Sequence, residues 1–293
     1  TGNKDFVYND RYVDKEDLWR HSKWCEFMFQ RLTLAKDLLS QDGVIVISID
    51  DNEVFTLGMM MKRVFGENAF VANCIWQKRY SRENRGAIGD AHEYVMFYSP
   101  RPELFQIRRG RIPLSEQQAK IYKNPNNDPK GRWRPIPMTA QGFRPNQMYK
   151  ITTATGAVHE PPEGRCWSMI ESEFEKLLNI DSTIGVSKRG RIWFGKDGNS
   201  QPNEIRYLDE VEGLVPWTWW NHEEVGHTDE AKKEIQSIFG TQTAFDTPKP
   251  VRLIERVLQI AVRNDPDSLI LDFFAGSGTT AHAVHKLNKE DGG

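Results

Sequence analysis

Ser268-Leu269-Ile270-Leu271-Asp272-Phe273-Phe274-Ala275-Gly276-Ser277-Gly278-Thr279-Thr280 reads as a strand, an acid at its end, a glycine turn and the start of a helix. The apolar run 268–271 has the pattern of a buried strand, and Thr280-Ala281-His282-Ala283-Val284 opens a helix. A helix N-terminus after a tight turn presents free N–H groups and a positive dipole end. α/β proteins bind nucleotide-like ligands there. Little of the 293-residue chain follows this stretch. Its sheet partners are therefore expected earlier in the sequence.

Working outward, Asn264-Asp265-Pro266-Asp267 reads as a turn. Before it, Ile254, Val257, Leu258 and Ala261 line one face of an amphipathic helix. Asp246 or Thr247 is expected to cap that helix, with proline tolerated in its first turn. At the other end of the chain, residues 18–40 read as a helix with Met28, Leu32, Ala35 and Leu39 on one face. Val44-Ile45-Val46-Ile47-Ser48-Ile49 is β-branched and nearly all apolar, which predicts a strand buried on both faces as in a parallel sheet. A helix to Phe65 follows, capped from Asp50-Asp51-Asn52-Glu53, and then strands over 70–77 and 93–99. Helix and strand alternate, the signature of an α/β sheet.

From about 100 to 228 the character changes. There are few clean periodic runs, and Pro125, Pro129, Pro135, Pro137, Pro145, Pro161 and Pro162 break the segment repeatedly. The segment reads as an irregular domain of 101–228 inserted between 1–100 and 229–293. The tryptophans at 193, 217, 219 and 220 are read as a packed aromatic core for it.

Composition narrows the class. Mean hydropathy is −0.63, and no apolar run approaches the ~20 residues of a membrane helix. Three scattered cysteines argue against a disulfide framework and for a reducing cytoplasm. Net charge is −2, yet residues 101–150 hold eleven Lys/Arg against three Asp/Glu, a local +8. A basic block interleaved with Trp133, Phe143 and Tyr149 is what phosphate-backbone binding asks for.

Three ligands compete for the glycine turn. A phosphate P-loop needs a lysine that this turn lacks. Gly276, Gly278 and Ala281 formally satisfy the dinucleotide fingerprint, but a carboxylate at Asp272 would repel a pyrophosphate. S-adenosylmethionine carries no phosphate. Its ammonium and sulfonium suit a strand-end acid, and its carboxylate suits helix N–H groups and threonine hydroxyls.

The 272–280 stretch resembles the cofactor motif of amino-methylating DNA methyltransferases, and its C-terminal placement resembles their permuted β class. Phe245-Asp246-Thr247-Pro248-Lys249-Pro250 is similar to the motif just upstream, and His92-Glu93-Tyr94-Val95-Met96-Phe97-Tyr98 to a late catalytic-domain motif. Ile192-Trp193-Phe194-Gly195-Lys196-Asp197-Gly198-Asn199 and Glu224-Val225-Gly226-His227 resemble segments of type III restriction–modification (Mod) subunits. The resemblance implies a permuted Rossmann-like methyltransferase sheet with an inserted target-recognition domain. It implies methyl transfer from S-adenosylmethionine to adenine N6 in double-stranded DNA. It also implies a homodimer and a restriction (helicase/nuclease) subunit as partners.

By the same resemblance, Asp272, Phe273, Ala275, Gly276, Ser277, Gly278 and Thr279 hold the cofactor, with Phe245, Thr247 and Lys249 closing over it. The family's catalytic Asp-Pro-Pro-Tyr does not occur here and is expected upstream of Thr1, so the chain is read as a segment of a longer protein. Lys78, Arg79, Arg82 and Arg85 are expected to form a basic loop against DNA, with Arg108, Arg109, Arg132 and Arg134 as further contacts.

His222 and His227 stand five apart, off the zinc-protease spacing, and His282 and His285 suggest no third ligand, so no metal site is expected. The rival readings are a non-catalytic DNA-binding or assembly module and, more weakly, a dinucleotide-dependent oxidoreductase.

Overall fold

The computed structural model describes residues 20–82, 87–178, 190–240, 245–262 and 265–291. They form two compact units. One comprises the described residues up to Ile112 and from Val215 onward, the other Pro113–Leu214. The irregular segment expected over 101–228 contains the second unit, and its flanks 101–112 and 215–228 belong to the first.

The first unit opens with α1 (Arg20–Leu38), which buries Met28 and Leu32 and packs Ala35 against the same core, as does Leu39 just past its end. β1 (Ile45–Ile49) follows, then α2 (Val54–Phe65). α2 buries Val54, Leu57, Met60, Met61 and Val64, an apolar stripe at helical spacing. Its expected side-chain cap is absent: Glu53 instead turns inward, 2% exposed, with Oε1 2.6 Å from His21 Nδ1. β2 (Phe70–Gln77), β3 (His92–Tyr98) and α3 (Pro102–Arg108) complete this part, with proline starting α3 where no intrahelical N–H is lost.

The second unit is built of short pieces. α4 (Glu116–Ala119) is closed by a capping box between Ser115 and Gln118. β4 (Trp133–Pro137), β5 (Thr139–Gln141), β6 (Ile151–Thr152), β7 (Val158–His159), β8 (Arg165–Trp167), α5 (Glu171–Leu178), β9 (Ile192–Trp193) and β10 (Asn203–Tyr207) follow. β10 pairs antiparallel with both β4 and β9, and β5–β8 and β6–β7 are separate antiparallel pairs. Trp133 and Trp193 meet edge to face at 5.2 Å in its core. The Arg191 guanidinium, with Lys130, holds the Glu210 carboxyl down at about 2.

The chain then returns to the first unit through β11 (Trp219–Trp220), α6 (His222–Val225), α7 (Thr228–Phe239), α8 (Val251–Val262) and α9 (Thr279–Asp291). The tryptophans expected to pack the inserted domain are thus divided. Trp220 is buried in the first unit, whereas Trp217 and Trp219 are exposed.

The main sheet runs β1-β3-β2-β11. β3 is antiparallel to both β1 and β2, and β11 is parallel to β2. β1 and β2 therefore point the same way, as a strand–helix–strand crossover requires, but β3 lies between them. This is why the expected parallel pairing of β1 is replaced by an antiparallel one. β1 is also an edge strand among the described residues, and only Ile45 of it is buried. Alternation along β3 builds two cores: Tyr94, Met96 and Tyr98 face α1 and α2, while Val95 and Phe97 face Phe105, Trp220 and the α8 residues Leu253 and Ile260. The unit is thus a mixed α/β layer structure with helices on both faces.

The stretch 268–271 differs from expectation. It joins no ladder among the described residues, Leu269 is 100% exposed, and Leu271 is 63% exposed. An apolar run becomes a buried strand only where a neighbour supplies ladder bonds and a covering face. No helix among the described residues is long and apolar enough to cross a membrane.

Candidate cofactor and nucleic-acid site

The turn before α9 is shaped by its glycines. Gly276 and Gly278 adopt φ of 54° and 75°, a region costly for residues with a Cβ. Gly278 N–H donates to the Ala275 carbonyl at 2.8 Å, and Phe274 N–H donates to Asp272 Oδ1 at 3.0 Å. The second bond closes a local side-chain turn at the acid. A Cβ on Gly276 would sit 3.4 Å from the Phe245 ring, so the two motifs meet across the sequence. Thr279 Oγ1 donates to the Lys249 carbonyl at 3.1 Å and shares a 2.9 Å hydrogen bond with Ser277 Oγ.

Ser277, Gly278 and Thr279 line a cavity of about 190 Å³ together with Lys249, Glu234 and His282. Six of the ten expected cofactor residues thus meet here: Lys249, Ser277, Gly278 and Thr279 line the cavity, and Phe245 packs on Gly276 in the turn. Asp272, Phe273, Ala275 and Thr247 are exposed. The Phe273 ring lies tilted, 5.1 Å from that of Phe274, which packs into the α1–α2 core.

No sequence pattern points to Glu234. Its Oε2 accepts the Val251 N–H at 3.0 Å, capping α8 in place of the expected Asp246 or Thr247. Burial pushes the Glu234 carboxyl up. Glu93 is likewise a site residue that its motif does not reveal. It accepts from Lys249 Nζ at 2.7 Å and lies 3.5 Å from Lys78 Nζ, which pairs with Asp90 at 2.7 Å. A charge chain thus runs from the cavity wall to the β2–β3 loop. No spacing rule finds contacts between residues 156 positions apart.

Among the expected DNA contacts, Lys78 is nearly buried within this chain, its side chain 11% exposed. Arg79 and Arg82 line a second cavity of about 240 Å³ beside Tyr80. Arg85 lies outside the described residues. Arg108 bonds Asp42 at 2.8 Å and Asp265 at 2.7 Å, tying the chain ahead of the glycine turn to the turn before β1. Those bonds, Asp42 foremost, raise its already high pKa. Arg109 is half-buried after α3. Arg132 and Arg134 lie in the second unit, where Arg132 is exposed and the Arg134 guanidinium sits 5.3 Å over the Tyr122 ring.

A family model described as DNA methylase matches residues 4–290. The chain is 39% identical to the Type III restriction-modification enzyme StyLTI Mod subunit of Salmonella typhimurium, over 100% of this chain and 46% of that protein. It is 33% identical to the EcoPI Mod subunit of Escherichia phage P1, over 93% of this chain and 44% of the relative. It is 30% identical to the Type II methyltransferase M.KpnI of Klebsiella pneumoniae, over 100% of this chain and 70% of the relative. The chain spans less than half the length of the two Mod subunits.

Proposed function

The chain belongs to the DNA methylase family, and from that premise we propose that it supplies the cofactor-binding part of an enzyme methylating adenine N6 in double-stranded DNA. The observation that carries this is the convergence of Ser277, Gly278 and Thr279, at the start of α9, with Lys249 and Phe245 from the upstream motif.

S-adenosylmethionine fits these residues. The first N–H groups of a 13-residue helix suit its carboxylate, and the Ser277 and Thr279 hydroxyls, bonded to each other and to the Lys249 carbonyl, hold the turn that presents them. Asp272 keeps an exposed carboxylate whose Oδ1 is engaged locally, and it suits a cation. The open space at Gly278 lets a ligand approach the backbone. When bound, the cofactor supplies an electrophilic methyl group. Phe245 holds the turn's shape by packing on Gly276. Glu93 neutralises Lys249, so no uncompensated ammonium faces a sulfonium. The residues' contribution is to fix donor and acceptor in line, where orientation alone lowers a barrier by several kcal/mol.

In this reading the unit that holds the main sheet, up to Ile112 and from Val215, is a permuted Rossmann-like catalytic domain, and the second unit, Pro113–Leu214, is an inserted target-recognition domain. The protein works in the cytoplasm within a restriction–modification system, as a homodimer alongside a restriction subunit.

Calorimetry of the chain with S-adenosylmethionine and with NAD tests the cofactor. Heat with S-adenosylmethionine alone is expected, and heat with NAD alone defeats the reading. Cofactor and DNA binding without tritiated methyl transfer would instead support the non-catalytic module.

A further inference from the structure

The two histidines that fail the metal spacing have another use. His222 and His227 converge on Tyr80, with ring centroids at 5.5 Å and 5.1 Å. The Tyr80–His222 planes differ by 28°, a stacked arrangement. The two imidazoles lie 5.8 Å from each other. Both are fixed to β2. His222 Nδ1 is 3.0 Å from Gln77 Oε1. His227 follows Gly226, whose carbonyl accepts the Trp76 indole N–H at 2.9 Å, and precedes Thr228, whose N–H donates to the Lys78 carbonyl at 3.1 Å. His227 Nδ1 also accepts the Glu230 N–H at 3.2 Å, so its ring is held at the start of α7.

Tyr80 thus rests on an ordered imidazole base, yet it is 62% exposed and lines the 240 Å³ cavity with Arg79, Arg82 and Asp90. Lys78 neutralises Asp90, and Arg79 and Arg82 bring guanidinium groups to the cavity wall. The volume is below the ~300 Å³ of pockets that enclose a drug-sized ligand. It suits one ring system. A supported aromatic face beside guanidinium groups is how single-stranded nucleic acid is gripped, bases by stacking and phosphates by charge.

We propose that Tyr80 stacks an unpaired nucleobase of the DNA, with Arg79 and Arg82 on its phosphates and His222 and His227 as positioning residues beneath. This rests on the methylase reading for its substrate. Glu93 links the site to the cofactor cavity through Lys78 on one side and Lys249 on the other.

The test uses the full chain, a single-stranded oligonucleotide containing 2-aminopurine, and a matching oligonucleotide abasic at that position. The wild-type protein should quench 2-aminopurine and prefer it to the abasic strand. Tyr80→Leu should remove the quench and weaken that strand's binding about tenfold, the effect of losing one stacking partner. It should leave abasic-strand binding and S-adenosylmethionine affinity unchanged, and Tyr80→Phe should restore the quench. The exposure of Tyr80 makes these variants safe for folding. Equal weakening of both strands by Tyr80→Leu, or no weakening, overturns the proposal, as does a wild type indifferent to the base. A wild type that quenches but does not bind S-adenosylmethionine leaves the stacking site standing and removes the methylase reading instead.

Discussion

β3 and the run 268–271 are both apolar segments of one compact unit, and they end in opposite environments. Val95, Met96, Phe97 and Tyr98 are at most 4% exposed, whereas Leu269 is fully exposed. The difference is in neighbours. β3 has a strand on each side and a helical layer on each face. The run 268–271 has no ladder among the described residues. Apolar character therefore did not decide burial here; partners did. The functional consequence is that the glycine turn is not positioned by the strand leading into it. It is positioned from its far side: α9 packs Ala283, Val284 and Leu287 on α8, Thr279 bonds the Lys249 carbonyl, and Phe245 covers Gly276.

Phe97→Ala strikes the well-partnered side and should have the largest effect. Phe97 is 2% exposed and meets the Trp220 ring edge to face at 5.9 Å. Truncation should cost about 3–5 kcal/mol, read as a lowered urea midpoint in tryptophan fluorescence. A loss below about 1 kcal/mol would mean that the sheet interior is no better packed than the exposed run, and the contrast would collapse.

Glu93→Gln comes next, because it attacks the join between the sheet and the turn. The amide keeps the shape but leaves the Lys249 ammonium without its carboxylate partner. Losing a charged hydrogen bond in a mostly buried place should cost about 2 kcal/mol. Affinity for S-adenosylmethionine should fall as well, because Lys249 lines the cavity. Unchanged calorimetry would show that the charge chain does not support the site.

These residues also show how far the sequence could be read. β2 was legible to the residue, and β1, β3 and α2 nearly so, because local period and turn chemistry set their limits. Lys249 and the 277–279 turn were legible as a pair of motifs. Three things were not legible, all for the same reason. The insertion of β3 between β1 and β2, the capping of α8 by Glu234, and the Glu93 bridge are choices of partner made across the chain. Local sequence carries the tendency to form a strand or a cap. It does not say which distant group will answer it. The stack of Tyr80 on His222 and its tilted contact with His227 belong with these: the histidines were visible, but their convergence on Tyr80 was not.

Gly278→Ala should have a smaller effect, confined to the turn. Nothing lies within 4 Å of where the new methyl would stand, so no clash contributes. Only the backbone conformation at φ 75° is penalised, by about 1 kcal/mol. If the turn relieves this strain by moving, S-adenosylmethionine affinity should drop roughly fivefold with little change in the urea midpoint. A fall in global stability as large as that of Phe97→Ala would instead place the turn inside the cooperative core.

Leu269→Ser should have the smallest effect and is the sharpest check on the contrast. A leucine that is fully exposed gives up no buried contact when shortened, so the change should stay within about 0.5 kcal/mol. The same substitution at a buried leucine, such as Leu57 at 0% exposure, would open a cavity and strand a hydroxyl in it. The two variants share their chemistry and differ only in neighbours, so their ratio measures what partnering contributes to this fold. A loss above about 2 kcal/mol for Leu269→Ser would mean that the run is covered in solution. The glycine turn would then be held from both sides, with its leading strand sharing in the placement of Asp272.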